Sequence, residues 1–414
     1  MSVTLSRQAA GETPTRVPWR QLTPTVLLPN LLHGTGQGAV VPAIPLAALD
    51  FGAGYATAAI TASMLPLGQL LFALPAGALV SRFSEKAVML AAVVTTLIGG
   101  VGAFVAPSLP VLMLSSLLIG SGVAVFTLAR HSWMTVAVPV EVRGRSLALV
   151  ASFNRLGMFV GPFLAAAALS VADNSHGAFV VVIATEAALL VAVACVRFPR
   201  STSDTATAEH DEPGDSPGVF ATLRQNRGVL LRLGAVTSIL GTVRMTKKIF
   251  VPLVGVALGM DAVSVALLVG VAAGVDFALT YLGGIIIDRW GRLWVALPPM
   301  IIFGITHLVM AVAGYLPGSQ IWFVAAVLLM AAGNGISAGV VATMGSDLAD
   351  PHNPGPFLGS WRLVTDFAPS LAPLAISGLV AVASLSVACG AAAALAIVGA
   401  ILLPRYVHRY LPGS

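Results

Sequence analysis

The stretch Gly284-Ile-Ile-Ile-Asp288-Arg289-Trp290-Gly291-Arg292 joins two long apolar segments. Three of its last five residues are charged. The flanking segments, 262–286 and 293–313, together hold one acid, Asp276, and no Lys or Arg. About 20 mostly apolar residues are enough for a helix to cross the hydrocarbon core of a bilayer. The stretch therefore predicts a short charged loop between two membrane-spanning helices.

The rest of the chain shares this apolar character. Of its 414 residues, 57% are hydrophobic and only 9% are charged, and the mean hydropathy is +0.92. A soluble domain has about 45–50% apolar and about 25% charged residues. So few charges cannot cover a surface that faces water, which excludes a soluble enzyme, a nucleic-acid-binding protein and a disordered chain. The composition predicts an all-α protein embedded in a lipid bilayer.

Twelve segments are long and apolar enough to span a membrane, and we number them in chain order. They cover approximately residues 22–49, 55–80, 86–105, 108–131, 146–171, 176–196, 228–258, 262–286, 293–313, 319–343, 357–381 and 385–404. These runs lack the alternating polar pattern of a membrane β-barrel, so helices are expected.

Basic residues occur in every second loop between these segments. The loops that hold them contain Arg82, Lys86, Arg143, Arg145, Arg197, Arg200, Arg224, Arg227, Arg289 and Arg292. The intervening loops, around 50–55, 106–108, 172–176, 259–262, 314–319 and 382–384, contain neither Lys nor Arg. Because Lys and Arg accumulate in cytoplasmic loops, we expect a multi-pass protein of the cell (inner) membrane with both termini in the cytoplasm.

The chain is expected to fold as two bundles of six helices. Residues 198–227 are rich in Ser, Thr, Asp and Glu, a composition typical of a flexible cytoplasmic linker. This linker separates an N-terminal bundle, 22–197, from a C-terminal bundle, 228–404. Residues 1–21 and 405–414 are expected to be cytoplasmic tails.

An internal repeat supports this division. When the sequence is shifted by 207 residues, identical residues coincide at several positions of the two halves. The coinciding positions are Pro45-Leu46 with Pro252-Leu253, Gly52 with Gly259, Gly77 with Gly284, Arg82 with Arg289, Arg155-Leu156 with Arg362-Leu363, and Pro162 with Pro369. Repeated six-helix units are a known transporter architecture, with the substrate site between the halves near the midplane.

The loop quoted first resembles the G-x3-D-R-x-G-R loop signature of the major facilitator superfamily. In that family a second copy lies between segments 2 and 3, where this chain reads Gly77-Ala-Leu-Val-Ser81-Arg82-Phe83-Ser84-Glu85-Lys86. Ser81 replaces the Asp and Ser84 the second Gly. The resemblance covers the whole chain, and it implies two pseudo-symmetric six-helix bundles that transport a solute by alternating access.

Segment 5 carries a second motif. Gly157-x3-Gly161-Pro162-x2-Ala165-Ala166 resembles the antiporter motif of the twelve-helix proton-coupled drug exporters, with Ala in place of both final glycines. The resemblance implies export. The alternative is ordinary close packing of helices through small residues.

Segment 7 carries three cations, Arg244, Lys247 and Lys248, on one helical face. A charge at the bilayer centre costs about 2.5–3.5 kcal/mol on insertion scales, so this face is expected to line a water-filled cavity rather than to contact lipid. The resemblance also places segment 7 at the central cavity. Alternatively, some of the cations are ion-pair partners or extend to the membrane surface.

Three acids lie within segments and are candidate proton carriers, namely Asp276 first, Asp366 second and Glu186 third. Burial favours the protonated form of a carboxyl, whereas a fixed Arg partner opposes it. Pairing of Asp276 or Asp366 with Arg244, Arg155 or Arg362 is geometrically plausible. Glu186 is unexpected because segment 6 faces lipid in the family, and a local or neighbouring-helix partner is expected for it.

The remaining cavity candidates are Arg155, Arg362, His33, Gln37 and Asn334. His33 and Gln37 are one turn apart in segment 1, and Asn334 lies in segment 10; both segments line the cavity in the family. Each of these polar residues could instead make a hydrogen bond between helices.

The two loop copies are expected to form a cytoplasmic gate. By the resemblance, the gate residues are Gly77, Ser81, Arg82, Gly284, Asp288, Arg289, Gly291 and Arg292, together with Arg143 and Arg145. In the family, the Asp of the motif stands near the start of a helix of the opposite half, where the exposed amides favour a carboxylate by about 0.3–1 kcal/mol. Ser81 can cap amides but carries no charge. The lock of the outward-facing state is therefore expected to rest mainly on Asp288.

The sequence predicts a secondary transporter, with proton-coupled export of a small drug-like or metabolite-like molecule as the expected activity. It is expected to act as a monomer in the lipid bilayer, with no nucleic acid, cofactor or metal, because no phosphate-binding loop and no metal-ligand spacing is present. One alternative is uptake of an organic anion at the cationic face of segment 7. An alternative of another class is a non-transporting membrane receptor or a lipid scramblase.

Overall fold

The structure is a computed structural model that describes residues 26–138, 140–172, 174–196, 219–350 and 354–411. The tail expected over 1–21 and residues 198–218 of the expected linker lie outside the described residues.

Twelve long helices dominate the described residues, in which no strand occurs. They are α1 (Leu28–Asp50), α2 (Tyr55–Arg82), α3 (Glu85–Phe104), α4 (Leu109–Ala137), α5 (Val140–Leu169), α6 (Phe179–Cys195), α7 (Ala235–Ala257), α8 (Ala262–Trp290), α9 (Arg292–Val312), α10 (Ser319–Ile336), α11 (Pro354–Val382) and α12 (Leu385–Tyr410). Eleven helical stretches within the described residues are long and apolar enough to cross a membrane. The twelfth long helix, α1, is not one of these eleven, and it packs against α5 and α6 of the same half.

Several helices extend beyond the apolar runs that predict them. α4 continues to Ala137, and α12 continues to Tyr410, through residues expected to form a tail. A short helix, Val219–Gln225, occupies part of the expected flexible linker, and Arg227–Val229 and a π-helical turn, Leu230–Gly234, lead into α7. Hydropathy marks only the apolar part of each helix, so it misses these polar ends.

Segment 10 differs from its expectation of one continuous helix. α10 ends at Ile336, and a second short helix, Val340–Leu348, follows. Gly339 precedes that helix with a φ of +85°, a conformation that an L side chain rarely adopts. The break lies directly after Asn334 and Ser337, both of which are buried.

The internal repeat is visible in the backbone. Gly52, after α1, has a φ of +75°, and Gly259, its counterpart after α7, has a φ of +79°. Both turns lie on the membrane face whose loops contain no Lys or Arg. We call this face the neutral side, and the opposite face, which holds Arg82, Arg289 and Arg292, the basic side.

Four glycines join α1 to α5. Gly34 and Gly38 of α1 would, with a Cβ, contact the backbone of Asn154 and Met158, and Gly157 and Gly161 of α5 would contact the backbone of α1 in return. We call these four residues the glycine seam. The glycines of the expected antiporter motif therefore have a packing role, because any side chain here would separate the two helices.

The two halves of the molecule touch on the neutral side. Ser63 of α2 and Ser377 of α11 share a buried hydrogen bond of 2.9 Å between their hydroxyls. Gly270 and Gly274 of α8 lie against Phe163 and Phe159 of α5. All six residues lie in the neutral-side half or near the middle of their helices. Toward the basic side, a Cβ on Gly77 or Gly284 would contact nothing within 4 Å.

We expect Gly161→Ala to destabilise the protein and Gly77→Ala to leave it unchanged or more stable. A Cβ on Gly161 would lie 2.7 Å from the Ala39 nitrogen and closer still to the Thr35 carbonyl oxygen, and backbone atoms cannot yield as side chains do. Overpacking costs about 1–3 kcal/mol, whereas Gly→Ala in an open helical position gains up to about 1 kcal/mol. Thermal unfolding of the purified variants measures both effects. Equal unfolding temperatures for the two would contradict the packing role of the glycine seam.

Candidate functional site

A cavity of about 440 Å³ lies between the two halves. Helices α1 and α5 line it from the N-terminal half, and α7, α8, α10 and α11 line it from the C-terminal half. The contacts of Ser63 with Ser377 and of Gly270 and Gly274 with Phe163 and Phe159 lie on its neutral side. Its size suits a small organic molecule.

Most of the expected charged residues meet in this cavity. Arg155, Arg244, Lys247, Lys248 and Asn334 line it, as do the two acids Asp276 and Asp366. The face of α7 that carries the three cations thus points into the cavity and not toward lipid.

Asp276 is held by two neighbours. Its Oδ2 accepts hydrogen bonds from Lys247 Nζ, at 3.1 Å, and from the Asn334 side-chain amide. The Lys247 and Asp276 side chains are 26% and 18% exposed, so both are partly open to the cavity. The other carboxylate oxygen, Oδ1, is buried and has no partner among the described residues. Of the charged groups around Asp276, the structure thus brings Lys247, three residues after Arg244, to its carboxylate, and not one of the three arginines considered as plausible partners.

Arg244 is tied to the same cluster through Asn334. Its Nε donates to Asn334 Oδ1 at 2.8 Å, and its Nη1 lies 3.5 Å from the carbonyl oxygen of Ser337. One amide side chain thus accepts from a cation and donates to an anion. The result is a connected row, Arg244–Asn334–Asp276–Lys247, with two positive charges and one negative charge. We call it the α7–α8 charge row.

Lys248 and Asp366 lie outside this row. Among the described residues, Lys248 makes no hydrogen bond or ion pair, and the charges near it are the cations Lys247 and Arg244. The Asp366 side chain makes no salt bridge there either, although Arg362, one turn earlier on α11, acts on it electrostatically. Both groups remain available to a molecule in the cavity.

Arg155 bridges the two halves. Its Nη1 donates to the Thr280 hydroxyl of α8 at 2.5 Å, and that hydroxyl donates to the Asp276 carbonyl oxygen at 2.9 Å. This bond lies to the basic side of the Phe159 and Phe163 contacts. It is a direct polar contact between the two halves in the wall of the cavity.

Four expected site residues do not line the cavity. His33 and Glu186 are buried inside the N-terminal half, where His33 Nδ1 lies 3.1 Å from Glu186 Oε1. The structure thus supplies the neighbouring-helix partner expected for Glu186. Gln37 is half-buried on α1, one residue before the cavity-lining Gly38, and Arg362 is exposed on α11. Helical spacing explains these differences, because adjacent residues of a helix point about 100° apart.

The internal repeat shapes the cavity wall. Four lining residues of the N-terminal half have their counterparts, 207 residues later, on the wall of the C-terminal half: Gly38 with Met245, Val41 with Lys248, Met158 with Thr365, and Pro162 with Pro369. The N-terminal members are uncharged. Apart from Arg155, the charge of the cavity therefore lies on the C-terminal half.

The apolar part of the wall is not identifiable from the sequence. Met158, Met245, Met330 and Phe277 line the cavity. In a chain this hydrophobic, residues of these types also face lipid or the helix core, and no local pattern separates the three environments. Thr280, which binds Arg155, follows Asp276 by one turn, but a single Thr in a helix carries too little information to predict this role.

The two loop copies differ in how they start the next helix. Gly291 has a φ of +90°, which explains the glycine of the motif. In the other copy, Ser84 takes its place with a φ of −62°, and its hydroxyl accepts from the Ala87 amide at 3.4 Å to cap α3. Serine substitutes for glycine here because the chain enters the helix by a different turn.

The charged gate residues are placed as follows. Arg292 binds Asp347 of the same half through two nitrogens, at 2.8 and 3.2 Å, and the Arg289 guanidinium lies 5.5 Å from the centre of the Trp290 ring. Arg82 and Asp288 are both exposed. The side chains of Ser81, Arg143 and Arg145 lie outside the described residues, so the lock expected at Asp288 stays a prediction.

Comparisons with known proteins agree with this architecture. The family model of the Major Facilitator Superfamily matches residues 26–373 and 233–414. The chain is 29% identical over 137 residues to the "Putative metabolite transport protein YwtG" of Bacillus subtilis (strain 168). That match covers 33% of this chain and only 29% of the length of that relative.

Solved structures match over nearly the whole fold. A POT family transporter in complex with a thioalcohol-conjugated peptide gives a TM-score of 0.76 at 12% identity, covering 95% of this chain and 97% of that one. The nucleoside transporter NupG gives 0.73 at 12% identity, with 92% and 97% covered. The inward open xylose transporter XylE from E. coli gives 0.65 at 15% identity, with 92% and 94% covered. At these identities the likeness shows the fold alone.

We expect Lys247 and Asp276 to be energetically coupled in a double-mutant cycle of stability. Removing either partner leaves the other charge without its counter-charge in a poorly solvated site, whereas Lys247→Met with Asp276→Asn removes both. Contacting charged residues give coupling energies of about 0.5–3 kcal/mol. The control cycle pairs Asp276→Asn with Lys248→Met, whose side chain makes no bond to Asp276 among the described residues, and should be closer to additive. Unfolding of the purified variants measures both cycles. Additivity of the Lys247–Asp276 cycle would show that the pair does not form.

Proposed function

The chain belongs to the major facilitator superfamily, and from this premise we propose that it carries a small organic anion across the membrane together with a proton. Membership of the family makes it a secondary transporter and not an enzyme. Our proposal adds that the substrate is an anion, that a proton is transported, and that the two cross the membrane together.

The observation that carries the proposal is the charge of the cavity. Four cations, Arg155, Arg244, Lys247 and Lys248, face two acids, Asp276 and Asp366. With both acids ionised, the wall keeps an excess of two positive charges, and Lys248 has no protein partner among the described residues. An unpaired charge of this kind is costly in a poorly hydrated space and is stabilised by a ligand of opposite sign. The methionines and Phe277 would hold the apolar part of such a ligand.

The α7–α8 charge row offers a way to link the proton to the anion. When Asp276 takes up a proton, it releases Lys247, which then becomes available to the anion. Conversely, an anion that draws Lys247 away leaves Asp276 without its counter-charge and favours its protonation. Linkage is reciprocal, so each ligand raises the affinity for the other. Binding of proton and anion in the same state is the requirement for symport.

Movement of the two halves would complete the cycle. The halves touch at Ser63 and Ser377 and at Phe159 and Phe163 on the neutral side. A Cβ on Gly77 or Gly284, near the basic side, would contact nothing within 4 Å, and from this space we infer that the cavity opens there. If the basic side is cytoplasmic, as the loop charges predict, this conformation faces inward. We propose that the protein lies in the cell membrane with both termini in the cytoplasm. Because a single chain forms the whole cavity, a monomer would be sufficient for transport.

Proton-driven export is the second candidate function. It is favoured by Gly157, Gly161 and Pro162, of which Pro162 lines the cavity, and by Asp366, an acid of the wall without a salt bridge among the described residues. Antiport requires a proton and a substrate to compete for one group. A cationic or neutral substrate competing at Asp366 would meet this condition. The two candidates therefore differ in the charge of the substrate and in the sign of its linkage to protons.

We expect Asp276→Asn to abolish accumulation driven by a pH gradient and to retain counterflow. The amide fixes the neutral form of the side chain, so that Lys247 stays available to the anion but no proton is carried. Proteoliposomes with an imposed pH gradient, tested with mono-, di- and tricarboxylates and organic phosphates, give the accumulation. Exchange of labelled for unlabelled compound without a gradient gives the counterflow. Normal accumulation by Asp276→Asn would exclude Asp276 as the carrier.

We expect Lys248→Gln to weaken binding of the transported anion about tenfold or more, because a hydrogen bond to a charged group contributes about 1.5–3 kcal/mol. Lys248→Arg keeps the charge and should retain most of the affinity. An uncharged amide analogue of the same compound should bind both variants and the unmodified protein alike. Equal losses for the anion and the amide would assign Lys248 to structure rather than to recognition.

A further inference from the structure

A buried ionisable pair lies in the N-terminal half, away from the substrate cavity. His33 Nδ1 of α1 and Glu186 Oε1 of α6 are 3.1 Å apart, and the two side chains are only 1% and 2% exposed. By contrast, the Lys247–Asp276 pair is partly open to the cavity. Neither His33 nor Glu186 lines the cavity, so the transport cycle described above leaves both without a role.

The surroundings of the pair are mostly apolar. The Phe126 ring of α4 lies 4.4 Å from the His33 ring, centroid to centroid. Leu32, Leu189 and Val93 belong to the apolar cluster that includes Phe126. These neighbours, from α1, α6 and α3, bring no charge to the pair.

The helices that pack around the His33–Glu186 pair bring few polar groups near it. Next to Glu186 on α6, the Thr185 hydroxyl donates to its own helix, at the carbonyl oxygen of Val181. On α4, Arg130 is buried and donates to Asn30 Oδ1, one turn from His33 on α1. On α5, which packs against another face of α1, Arg155 is directed to Thr280 in the other half.

Each member of the pair keeps one unused polar atom. His33 Nε2 and Glu186 Oε2 are buried and have no hydrogen-bond partner among the described residues. A buried polar atom without a partner costs free energy, and its occurrence on both members of one pair calls for an explanation. Either atom can take or lose a proton without breaking a hydrogen bond to another described residue, so a site that binds and releases protons supplies one.

The charge balance of the pair supports this explanation. With one proton between them, the two groups are either both neutral or oppositely charged, and the pair carries no net charge. Removing that proton leaves a carboxylate with little solvation, and adding another at Glu186 Oε2 breaks the ionic contact with His33. Arg130 and Asn30, which are hydrogen-bonded to each other, lie to the basic side of the pair.

The pair is connected to the cavity through α1. Gly36 faces Thr185 and Glu186, and a Cβ there would lie 2.9 Å from the Thr185 hydroxyl oxygen and 3.5 Å from Glu186 Oε1. Two residues later, Gly38 lines the cavity and belongs to the glycine seam against α5. Because Gly36 and Gly38 have no side chains that could absorb a movement, a shift of α1 against α6 also moves the cavity wall.

We propose that His33 and Glu186 form a second proton-binding site, separate from the substrate path, whose protonation changes the packing of α1 against α6 and thereby the rate of transport. The binding site stands whether or not the cavity carries an anion; only its effect on rate rests on the proposed function.

Infrared difference spectroscopy of the purified full chain, stepped in pH without substrate, tests the binding site. We expect a carbonyl band of a protonated carboxyl that Glu186→Gln removes, that Glu186→Asp shifts, and that Asp276→Asn leaves in place. His307→Gln is a matched control, because His307 is an equally buried histidine bonded to Thr246 and not to an acid. Should Glu186→Gln fail to fold, the shift in Glu186→Asp assigns the band. A band unchanged in both Glu186 variants would overturn the proposal.

The pH profile of counterflow tests the effect on rate. We expect His33→Gln and Glu186→Gln to shift the profile, and the double variant to shift it no further than the larger single shift, since both remove one shared site. His307→Gln should not shift it. Unchanged profiles in all three His33 and Glu186 variants would overturn control of the rate. Coupled accumulation that survives Asp276→Asn, alongside a band that Glu186→Gln removes, would refute the proposed function and leave this site standing.

Discussion

Every ionised side chain inside the membrane needs a counter-charge, a hydrogen-bond partner or water, and this constraint explains where the polar residues of the chain lie. Asp276 satisfies it with Lys247 and Asn334, Arg244 satisfies it with Asn334, and Glu186 satisfies it with His33. Lys248 satisfies it only through the cavity. The cavity is thus the one place among the described residues where an intramembrane cation awaits a partner from outside the protein.

The internal repeat explains the fold, and the charged residues explain how the two halves differ. The repeat sets the fold, because Gly52 and Gly259 form the same turn and Pro162 and Pro369 occupy matching places on the cavity wall. The charges break this symmetry. Val41 in the N-terminal half corresponds to Lys248 in the C-terminal half, and the α7–α8 charge row has no counterpart in the first half, whose own buried pair is turned away from the cavity. The C-terminal half therefore supplies most of the charged groups that face the cavity, and the N-terminal half supplies a closely packed wall.

Much of this fold is predictable from the sequence because bilayer thickness and loop charge are long-range constraints. The twelve segments, their alternation and the direction of the α7 cations follow from them. The break after α10 is not predictable in this way, since hydropathy does not reveal that Gly339 adopts a positive φ. The partner of Asp276 is not predictable either. Lys247 and Arg244 lie on the same face of α7, and only the packing of the helices decides which of them reaches Asp276. His33 resembles a cavity residue and Glu186 an isolated acid on a lipid-facing helix until the helices are assembled, because the two are 153 positions apart in the chain.

The central claim is that proton and anion bind to the same state and favour each other through the Asp276–Lys247 pair. Calorimetric titration of the purified protein with a transported anion, repeated in two buffers of different ionisation enthalpy, gives the number of protons exchanged on binding. We predict uptake of about one proton per anion by the unmodified protein, by linkage, and none by Asp276→Asn. Release of protons, or uptake that persists in Asp276→Asn, would contradict the claim.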